Sequence, residues 1–521
     1  MRRLNFTPMS HIDKVSSPPA VFRILDLFAG PGGLDVAAEV LGHQVTGIEW
    51  DADACATRAA AGMDTFKGDV RKFRASFFPH AQVLTGGPPC QTFTVAGHGA
   101  GRRALDQVLQ YIERLHAAVR PESRQSWEQI FRTWRKISEE LRQRELEALE
   151  VKEEKRRVEE LRAKGRKAMR NRLKELGNTP DDIKKIMKRL KDPQDLDDSD
   201  EELSRLLEEF SDLDHRLNKL KDKLEELGDE RTGLVLQPLW WVIERSRRPG
   251  SEPYEAVVLE QVQAVMPVWK KYAEVLVSLG YRTRRQLMHT EAFGVPQTRR
   301  RAVLMARLDR TGGPNGPGID RLPSVPETHE HYHRAFSPAR TAKAARADTL
   351  PLDAPEPWVS MEKALKRARK ISRAKVHKRP AFTVISNYGT GGVPEARGRR
   401  DHDAPSATIT GKVSRNRVVH KGTDTDLANH ARFTPAEAGV LQTFPVAYPW
   451  SGNDVAQQIG NAVPPRLALH VLRQVLEPEL SDDEARDRLK KAVAKLEAWK
   501  PGEPVKFRES GDWEGHPLTG R

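Results

Sequence analysis

Short apolar runs that alternate with helix-like stretches are the feature that most constrains how this chain can fold. Three such runs lie at residues 22–27, 45–49 and 83–85, and the rhythm resumes at residues 256–260 and 302–305. Strands that are buried on both faces of a parallel sheet are this short and this apolar, and helices must connect them. The pattern predicts a doubly wound, parallel α/β domain that is interrupted in the middle of the chain.

The interruption, residues 113–228, has the periodicity of long helices rather than of strands. In its last part, leucine or phenylalanine recurs at alternating steps of three and four residues, which is the heptad pattern of a coiled coil. A similar stripe begins at Ile130. We therefore expect a coiled-coil helical hairpin whose two long arms are antiparallel. The seam of the second arm consists of Leu203, Leu206, Phe210, Leu213, Leu217, Leu220, Leu224 and Leu227.

Charge and cysteine content limit the partners and the compartment of the protein. Its 521 residues include 87 Lys or Arg against 73 Asp or Glu, a net charge of +14, and only two cysteines. The positive excess favours a polyanionic partner, most simply nucleic acid. Two cysteines form neither a disulfide framework nor a cysteine-rich metal site, so we expect a reducing, cytoplasmic setting and no metal. Without a long apolar run or a signal-peptide core, no membrane association is expected.

A glycine-rich turn, Phe28-Ala29-Gly30-Pro31-Gly32-Gly33-Leu34, follows the first apolar run and opens a helix. Glycines at this place let a ligand approach the backbone closely, but the spacing does not match the GxGxxG of dinucleotide sites. Glu49 could bind ribose hydroxyls, Trp50 could stack on an adenine, and Asp69 could accept a hydrogen bond from the adenine amino group. Together these residues predict a nucleoside-bearing cofactor that lies across the strand ends.

Cys90 follows the run at residues 83–85 in the sequence Gly86-Gly87-Pro88-Pro89-Cys90-Gln91. A loop at the carboxyl end of a strand is where an α/β protein presents a nucleophile. Most free cysteines, however, are small buried residues. On this residue alone, the packing role is favoured over the nucleophilic role. The other cysteine, Cys55, lies on the helix after Trp50, and we interpret it as packing.

Five sequence blocks, in this order, resemble those of the DNA (cytosine-5)-methyltransferases. The resemblance covers residues 20–110, 228–305 and 430–475. It implies a Rossmann-like, doubly wound methyltransferase fold with a smaller target-recognition domain, S-adenosyl-L-methionine as cofactor, and a cytosine in double-stranded DNA as substrate. The blocks are Asp26-Leu27-Phe28-Ala29-Gly30-Pro31-Gly32-Gly33, Gly86-Gly87-Pro88-Pro89-Cys90-Gln91, Glu260-Gln261-Val262, Gln297-Thr298-Arg299-Arg300-Arg301 and Gln458-Ile459-Gly460-Asn461-Ala462-Val463-Pro464-Pro465.

The resemblance also implies roles for individual residues. Cys90 would attack C6 of a cytosine flipped out of the duplex, and Glu260 would protonate or hydrogen-bond N3 of the ring. Arg299 and Arg301 share one face of an extended segment and would support the cytosine, Glu260 and nearby phosphates. The implied DNA contacts are Gln91, Thr94, Gln297 and Thr408. The implied cofactor contacts are Asp26, Phe28, Ala29, Gly30, Gly32, Gly33, Leu34, Glu49, Trp50, Asp69, Val70, Pro88, Asn461 and Val463.

The chain departs from the family pattern at Gln261, where an asparagine is usual. Glutamine keeps both amide functions, so we expect activity to survive. The insertion at 113–228 is the second departure. Residues 363–379 contain nine Lys or Arg and no acid, which favours phosphate contact over a merely solvated helix face.

Two other classes of function compete with a DNA methyltransferase. An RNA-directed relative would share the catalytic residues, but the long basic recognition region favours duplex DNA. A non-catalytic DNA-binding or scaffolding protein would have no reason to keep Cys90, Glu260 and Arg301 together. Whether the enzyme belongs to a restriction–modification system or acts alone, as in a phage, stays open.

The domain plan follows from these assignments, and the role of the insertion has three alternatives. The hairpin could mediate self-association, recruit another protein, or contact DNA through the basic stretch at 162–174. Its near-neutral charge favours the first two. The expected plan is a flexible arm at 1–19, a catalytic domain at 20–112, 229–306 and 433–478, the hairpin at 113–228, target recognition at 307–432, and a charged helix and tail at 479–521.

Overall fold

The computed structural model describes most of the chain, with several gaps. The described residues are 21–89, 99–189, 201–227, 232–310, 316–332, 354–386, 398–509, 511, 516, 518 and 519. The predictions for the arm at 1–19 and for Cys90, Gln91 and Thr94 lie outside them. Of the helices within these ranges, none combines the length and the apolar composition needed to span a bilayer.

Seven strands of the described residues form one mixed sheet in the order β3-β2-β1-β4-β5-β7-β6. The neighbours from β3 to β5 pair in parallel, whereas β7 runs antiparallel to both β5 and β6. The strands are β1 Arg23–Leu27, β2 Gln44–Glu49, β3 Thr65–Lys67, β4 Val83–Gly86, β5 Ala256–Val262, β6 Tyr281–His289 and β7 Arg300–Leu308.

The direction of β7 corrects the sequence analysis. The run at 302–305 was expected to continue the parallel rhythm, but β7 returns beside β6. Only residues 290–299 connect these two strands, which is too short for the helical crossover that parallel neighbours need. The prediction of a wholly parallel sheet was therefore wrong at this strand.

Apolar residues on both faces of the sheet are covered by helices, which makes the fold a doubly wound α/β arrangement. Leu25 and Val257 face one core, whereas Ile24 and Val258 face the other. The first core includes residues of α3 Gly99–Val119, α7 Gln237–Arg247 and α8 Met266–Ser278. The second includes residues of α1 Gly33–Val40, α12 Pro465–Leu476 and α13 Asp482–Ala498. Helix α2, Ala52–Ala60, follows β2.

Three helices form the insertion: α4 Trp127–Glu175, α5 Pro180–Arg189 and α6 Glu201–Leu227. Helices α4 and α6 lie side by side and run in opposite directions. Their ion pairs show this, because partners later in α4 meet residues earlier in α6. The pairs are Glu147–Lys223 at 3.0 Å, Glu154–Arg216 at 2.8 Å and Arg162–Asp214 at 2.5 Å. We call these three helices the helical hairpin.

The root of the helical hairpin is part of the α/β core. Trp134 of α4 stacks on Trp240 of α7, with ring centroids 4.8 Å apart and planes 5° from parallel. Ile130 and Ile137 are buried in the same cluster. Helix α3 also packs there and continues to Val119. The helical hairpin therefore begins beyond α3 rather than at residue 113, and its first turns are anchored to the core.

A smaller unit lies between β7 and the last helices. Its sheet has the order β10-β8-β9, with β8 Phe382–Ile385, β9 Arg399–Asp401 and β10 Arg417–His420. Helices α9 Met361–Ile371, α10 Pro435–Leu441 and α11 Val455–Asn461 share a hydrophobic cluster with this sheet. This cluster is distinct from the two cores of the main sheet.

Candidate active site

The parallel strands β1, β2, β4 and β5 all end at one edge of the main sheet. Loops that follow parallel strands meet at such an edge, which is the usual place for a ligand in α/β proteins. The glycine-rich turn, Glu49, Gly87 and Glu260 occur at these ends. This edge is therefore the candidate active site.

The glycine-rich turn after β1 depends on its glycines for conformation and for close packing. Gly30 and Gly32 have φ of +54° and +96°, in the region that side chains disfavour. A Cβ on Gly33 would lie 2.0 Å from the carbonyl oxygen of Val463. The turn is therefore pressed against the segment that precedes α12. At Gly30 nothing lies within 4 Å of the Cβ position, so that part of the turn has room beside it.

Glu49 fixes the end of β2 to the glycine-rich turn. Its carboxylate accepts hydrogen bonds from the backbone N–H groups of Gly30 at 2.7 Å, Trp50 at 2.8 Å and Asp51 at 2.7 Å. Burial raises the pKa of Glu49, and these donors act in the opposite direction. The neighbouring Trp50 is 64% exposed, so its ring is available for stacking beside the carboxylate.

A buried ion pair that the sequence did not predict supports the glycine-rich turn. Arg58 of α2 forms a two-pronged pair with Asp35 of α1, with nitrogen–oxygen distances of 2.6 and 2.9 Å. A Cβ on Gly47 would lie 2.1 Å from an Arg58 nitrogen, so glycine in β2 makes room for this pair. No local sequence pattern predicts this ion pair, because Arg58 and Asp35 lie on different helices.

Asp26 is a second buried acid beneath the turn. Thr85 donates to its Oδ1 at 2.6 Å, and its Oδ2 has no hydrogen-bond partner among the described residues. Burial and the nearby Asp35 carboxylate raise the pKa of Asp26 well above its usual value. Asp26 lies on β1 itself, two residues before the turn begins at Phe28.

Asp69 links the candidate site to the helical hairpin. Arg71 holds both of its carboxylate oxygens, at 2.6 to 3.0 Å, and also pairs with Glu145 of α4 at 2.6 Å. Asp69 is thus already engaged, where the sequence analysis expected it to accept from an adenine. Val70 is buried in the core.

The remaining residues expected at the cofactor differ in exposure. Phe28 packs against the first core and Leu34 belongs to the second. Asn461 is exposed, whereas Val463 is half-buried. The buried members of the group are Ala29, Gly32, Gly33 and Pro88.

Glu260 and Arg301 form an ion pair at the end of β5. Arg301 Nε lies 2.7 Å from Glu260 Oε1, and both side chains are about nine-tenths buried, at 12% and 9% exposure. Burial lowers the pKa of Arg301, while the Glu260 carboxylate acts to raise it. The other Glu260 oxygen lies 3.8 Å from the Cβ position of Gly87. The carboxylate is therefore held beside the loop that leads to Cys90.

Gln261 braces the same loop. Its side-chain amide donates to the carbonyl of Pro88, and its amide oxygen accepts from the backbone N–H of Val262 at 2.6 Å. Both functions of the amide are used. Glutamine thus uses both amide functions to hold the loop at the position where the family usually has asparagine.

Arg299 lies in the interior and contacts carbonyl groups rather than Glu260. Its guanidinium donates to Ile409 at 2.9 Å and to Gly460 at 2.9 Å. Burial lowers the pKa of Arg299 well below its usual value. The side chain joins the main sheet to the smaller unit and to α11. These contacts suit a positioning role, and the expected support of the cytosine, Glu260 and nearby phosphates stays a prediction for Arg299.

Gln297 and Thr408 also join the two units. Gln297 is fully buried; it donates to the Gln442 side chain at 2.8 Å and accepts from Ile409 N–H at 2.7 Å. Thr408 donates to the Thr298 carbonyl at 2.9 Å. The expected DNA contact of Gln297 does not fit this burial, since its side chain is enclosed by protein. Alternation along the segment is retained, because Arg300 is exposed.

These features define an α/β protein with a candidate ligand site at the sheet edge, and comparison with known proteins identifies its family. The family model for C-5 cytosine-specific DNA methylase matches residues 22–123 and 255–477. The chain belongs to this family. The matched segments leave out residues 124–254, which contain the helical hairpin and α7.

Curated relatives match shorter parts of the chain. The type II methyltransferase M.AplI of Arthrospira platensis is 39% identical over 80 residues, which are 15% of this chain and 23% of that protein. M.BspRI of Lysinibacillus sphaericus is 27% identical over 239 residues, or 42% of this chain and 50% of that protein. The chain thus spans half or less of the length of these relatives.

Solved structures give a weaker comparison. The Dnmt2 methyltransferase of S. pombe aligns over 88% of this chain and 100% of its own, with a TM-score of 0.41 and 12% identity. The methyltransferase EhMeth of Entamoeba histolytica aligns over 89% and 100%, with a TM-score of 0.40 and 10% identity. Scores at this level do not establish a common fold.

The surroundings of Cys55 predict that it is chemically inert in the folded protein. Its side chain is fully buried, and burial together with the Glu49 carboxylate raises its pKa to about 12. Because the thiolate is the reactive form, iodoacetamide near neutral pH should label the native chain once at most, at Cys90. Intact-mass spectrometry should show two adducts only after unfolding. Labelling of a native Cys90→Ala variant would contradict this prediction.

Proposed function

We propose that the protein is a DNA (cytosine-5)-methyltransferase that modifies a cytosine flipped out of a specific duplex sequence. The observation that carries the proposal is the Glu260–Arg301 ion pair, held beside the loop that leads to Cys90. Family membership supports the same reaction class. The described part of the site therefore combines an acid and a cation at one sheet edge.

The proposed chemistry divides among three side chains. The Cys90 thiolate adds to C6 of the cytosine, which makes C5 nucleophilic. Glu260, as the carboxylic acid, donates a proton or hydrogen bond to N3 and so limits the negative charge that the addition creates. Arg301 fixes the Glu260 carboxylate at 2.7 Å. After C5 gains a methyl group, it loses its proton to water and the C5–C6 double bond re-forms. The C6–sulfur bond breaks with its electron pair on sulfur, N3 returns its proton to Glu260, and Cys90 is released as the thiolate.

S-adenosyl-L-methionine is the proposed methyl donor, and the residues at the strand ends fit it. The cofactor would supply an electrophilic methyl group. The open space at Gly30 would admit it against the backbone, and the exposed Trp50 ring would stack on its adenine. Glu49, which already faces the turn, would bind the ribose hydroxyls. Asp69 could contribute only if Arg71 released one of its oxygens.

Double-stranded DNA is the proposed partner of the smaller unit, and α9 supplies positive charge for it. This helix buries Met361 and Leu365 in the hydrophobic cluster, while Lys363, Lys366 and Lys370 are exposed. Such a cationic face suits phosphate contact. Arg379 is not part of it, since that side chain is buried against Glu437.

A methylation assay with a nucleophile variant tests this function. Bisulfite sequencing of DNA from cells that express the chain should reveal methylated cytosines within one sequence context. Cys90→Ala should abolish methyl transfer and leave S-adenosylmethionine binding unchanged, because the thiol takes no part in cofactor contact. Methylation by the variant, or none by the intact chain together with no binding of the cofactor, would overturn the proposal.

Adjacent arginines provide a matched test of the ion pair. Arg301→Ala removes the cation that holds Glu260, and we expect kcat to fall by at least about a hundredfold, the usual cost of losing one preorganised electrostatic contact. Arg300→Ala alters an exposed neighbour and should leave kcat nearly unchanged. Single-turnover rates on one duplex substrate would measure both. Equal losses in the two variants would contradict the assigned role of Arg301.

For the helical hairpin, we propose self-association or binding of another protein rather than DNA contact. Several basic residues of its arms are neutralised by partners within the hairpin, including Arg162, Arg216 and Lys223. These cations are therefore less available to phosphates.

Shortening the hairpin tests this role without disturbing its root. Glu147 and Lys223 bring the two arms together at 3.0 Å, so residues 150–220 can be replaced by a short glycine–serine linker. We expect DNA affinity and methyl transfer to be retained, because the candidate active site lies outside the deleted part. Light scattering would show whether an oligomer is lost. A large drop in DNA affinity would favour the DNA-binding alternative.

A further inference from the structure

Two histidines and a glutamate lie together where the edge strand β6 of the main sheet ends. His289 ends β6, Glu291 follows it in a short turn, and His331 lies on the segment that leads toward the smaller unit. The potential ligand atoms of the three residues all lie within 4.8 Å of one another. None of the three has a role in the proposed methyl transfer.

The backbone holds the two parts of this cluster together. The N–H groups of Thr328 and His329 both donate to the carbonyl of Ala292, at 3.0 and 2.9 Å. Ala292 directly follows Glu291, and His331 lies two residues beyond His329. These backbone hydrogen bonds therefore fix the distance between the two segments without any side-chain contact.

The surroundings of the Glu291 carboxylate favour a bound cation. Its side chain is only 6% exposed, and its Oε2 has no hydrogen-bond partner among the described residues. The other oxygen lies 3.7 Å from His289 Nδ1. A buried carboxylate with an unpartnered oxygen is costly unless an ion or donor compensates it.

Two imidazoles and a carboxylate form a donor set that suits a borderline divalent metal, and zinc most simply. We infer that His289, Glu291 and His331 bind Zn²⁺. Glu327 lies 2.8 Å from His331 Nε2. It would either complete four-coordination or orient the His331 ring from outside the coordination sphere. The expectation of no metal rested on cysteine spacing, which says nothing about a histidine–carboxylate site.

The place of the cluster suggests a structural role for the ion. His289 pairs in register with Arg300 of β7, one residue from Arg301. The segment that contains Glu327 and His331 leads from the main sheet toward the smaller unit. A metal at this point would clamp the connection to the sheet edge that carries Arg301. This role is separate from the methyl-transfer proposal, and its test does not depend on activity.

Metal content of the tag-free, full-length protein tests the inference. After removal of metals with a chelator and addition of ZnCl₂, mass spectrometry of the dialysed protein should find one zinc per chain. Added Zn²⁺ should also raise Tm. Co²⁺ in place of zinc should give the visible absorption of a low-coordinate site. Binding of no zinc by the intact chain would overturn the inference.

Three variants locate the site. The double variant His289→Ala and His331→Ala should lose the zinc and the Zn²⁺-dependent rise in Tm, while its Tm in chelator stays near that of the intact chain. Glu327→Gln should weaken zinc binding by about tenfold or more. His420→Ala removes an exposed histidine of β10 and serves as the control, with one zinc retained. Full zinc binding by the double variant would place the metal elsewhere and overturn the inference.

Discussion

The candidate active site depends on the direction of β7. In the antiparallel register, Glu260 pairs with Val303 and Val262 pairs with Arg301. Arg301 is therefore a diagonal neighbour of Glu260, close enough for the 2.7 Å ion pair. If β7 ran parallel to β5, its first residues would lie at the opposite edge of the sheet, and Arg301 could not reach the carboxylate. The antiparallel direction of β7 therefore brings the fourth sequence block, residues 297–301, to the candidate active site.

The sequence predicted those parts of the fold that local patterns encode. Apolar runs predicted the central strands, and the heptad spacing placed apolar side chains along α6, which lies against α4. The sequence did not predict strand β6, because Arg282, Arg284 and Arg285 interrupt its apolar character. In the site, alternation put Arg299 and Gln297 on one face. Their burial depends on Ile409 and Gly460, which are distant in sequence, and no local pattern reveals such contacts.

The helical hairpin is joined to the site by more than chain connectivity. Trp134 stacks within the core that covers one face of the sheet, and Glu145 shares Arg71 with Asp69. The hairpin root thus contacts the loop after β3, next to the proposed adenine site. Helix α4 continues without a break from Glu145 to Glu175, so one helix joins this contact to the outer part of the arm. The family model matches the segments on both sides of the hairpin but not residues 124–254.

The central claim is that Cys90 forms a bond to C6 of the cytosine that Glu260 and Arg301 hold. The most direct test uses duplex DNA with 5-fluorocytosine at the target position. The elimination that frees Cys90 requires loss of a proton from C5, and a fluorine at C5 blocks that step because it is not lost as a cation. With S-adenosylmethionine present, intact-mass spectrometry should find one DNA strand attached per chain, and peptide mapping should place it on Cys90. Methylation of ordinary DNA without any such adduct, or an adduct on another residue, would contradict the account.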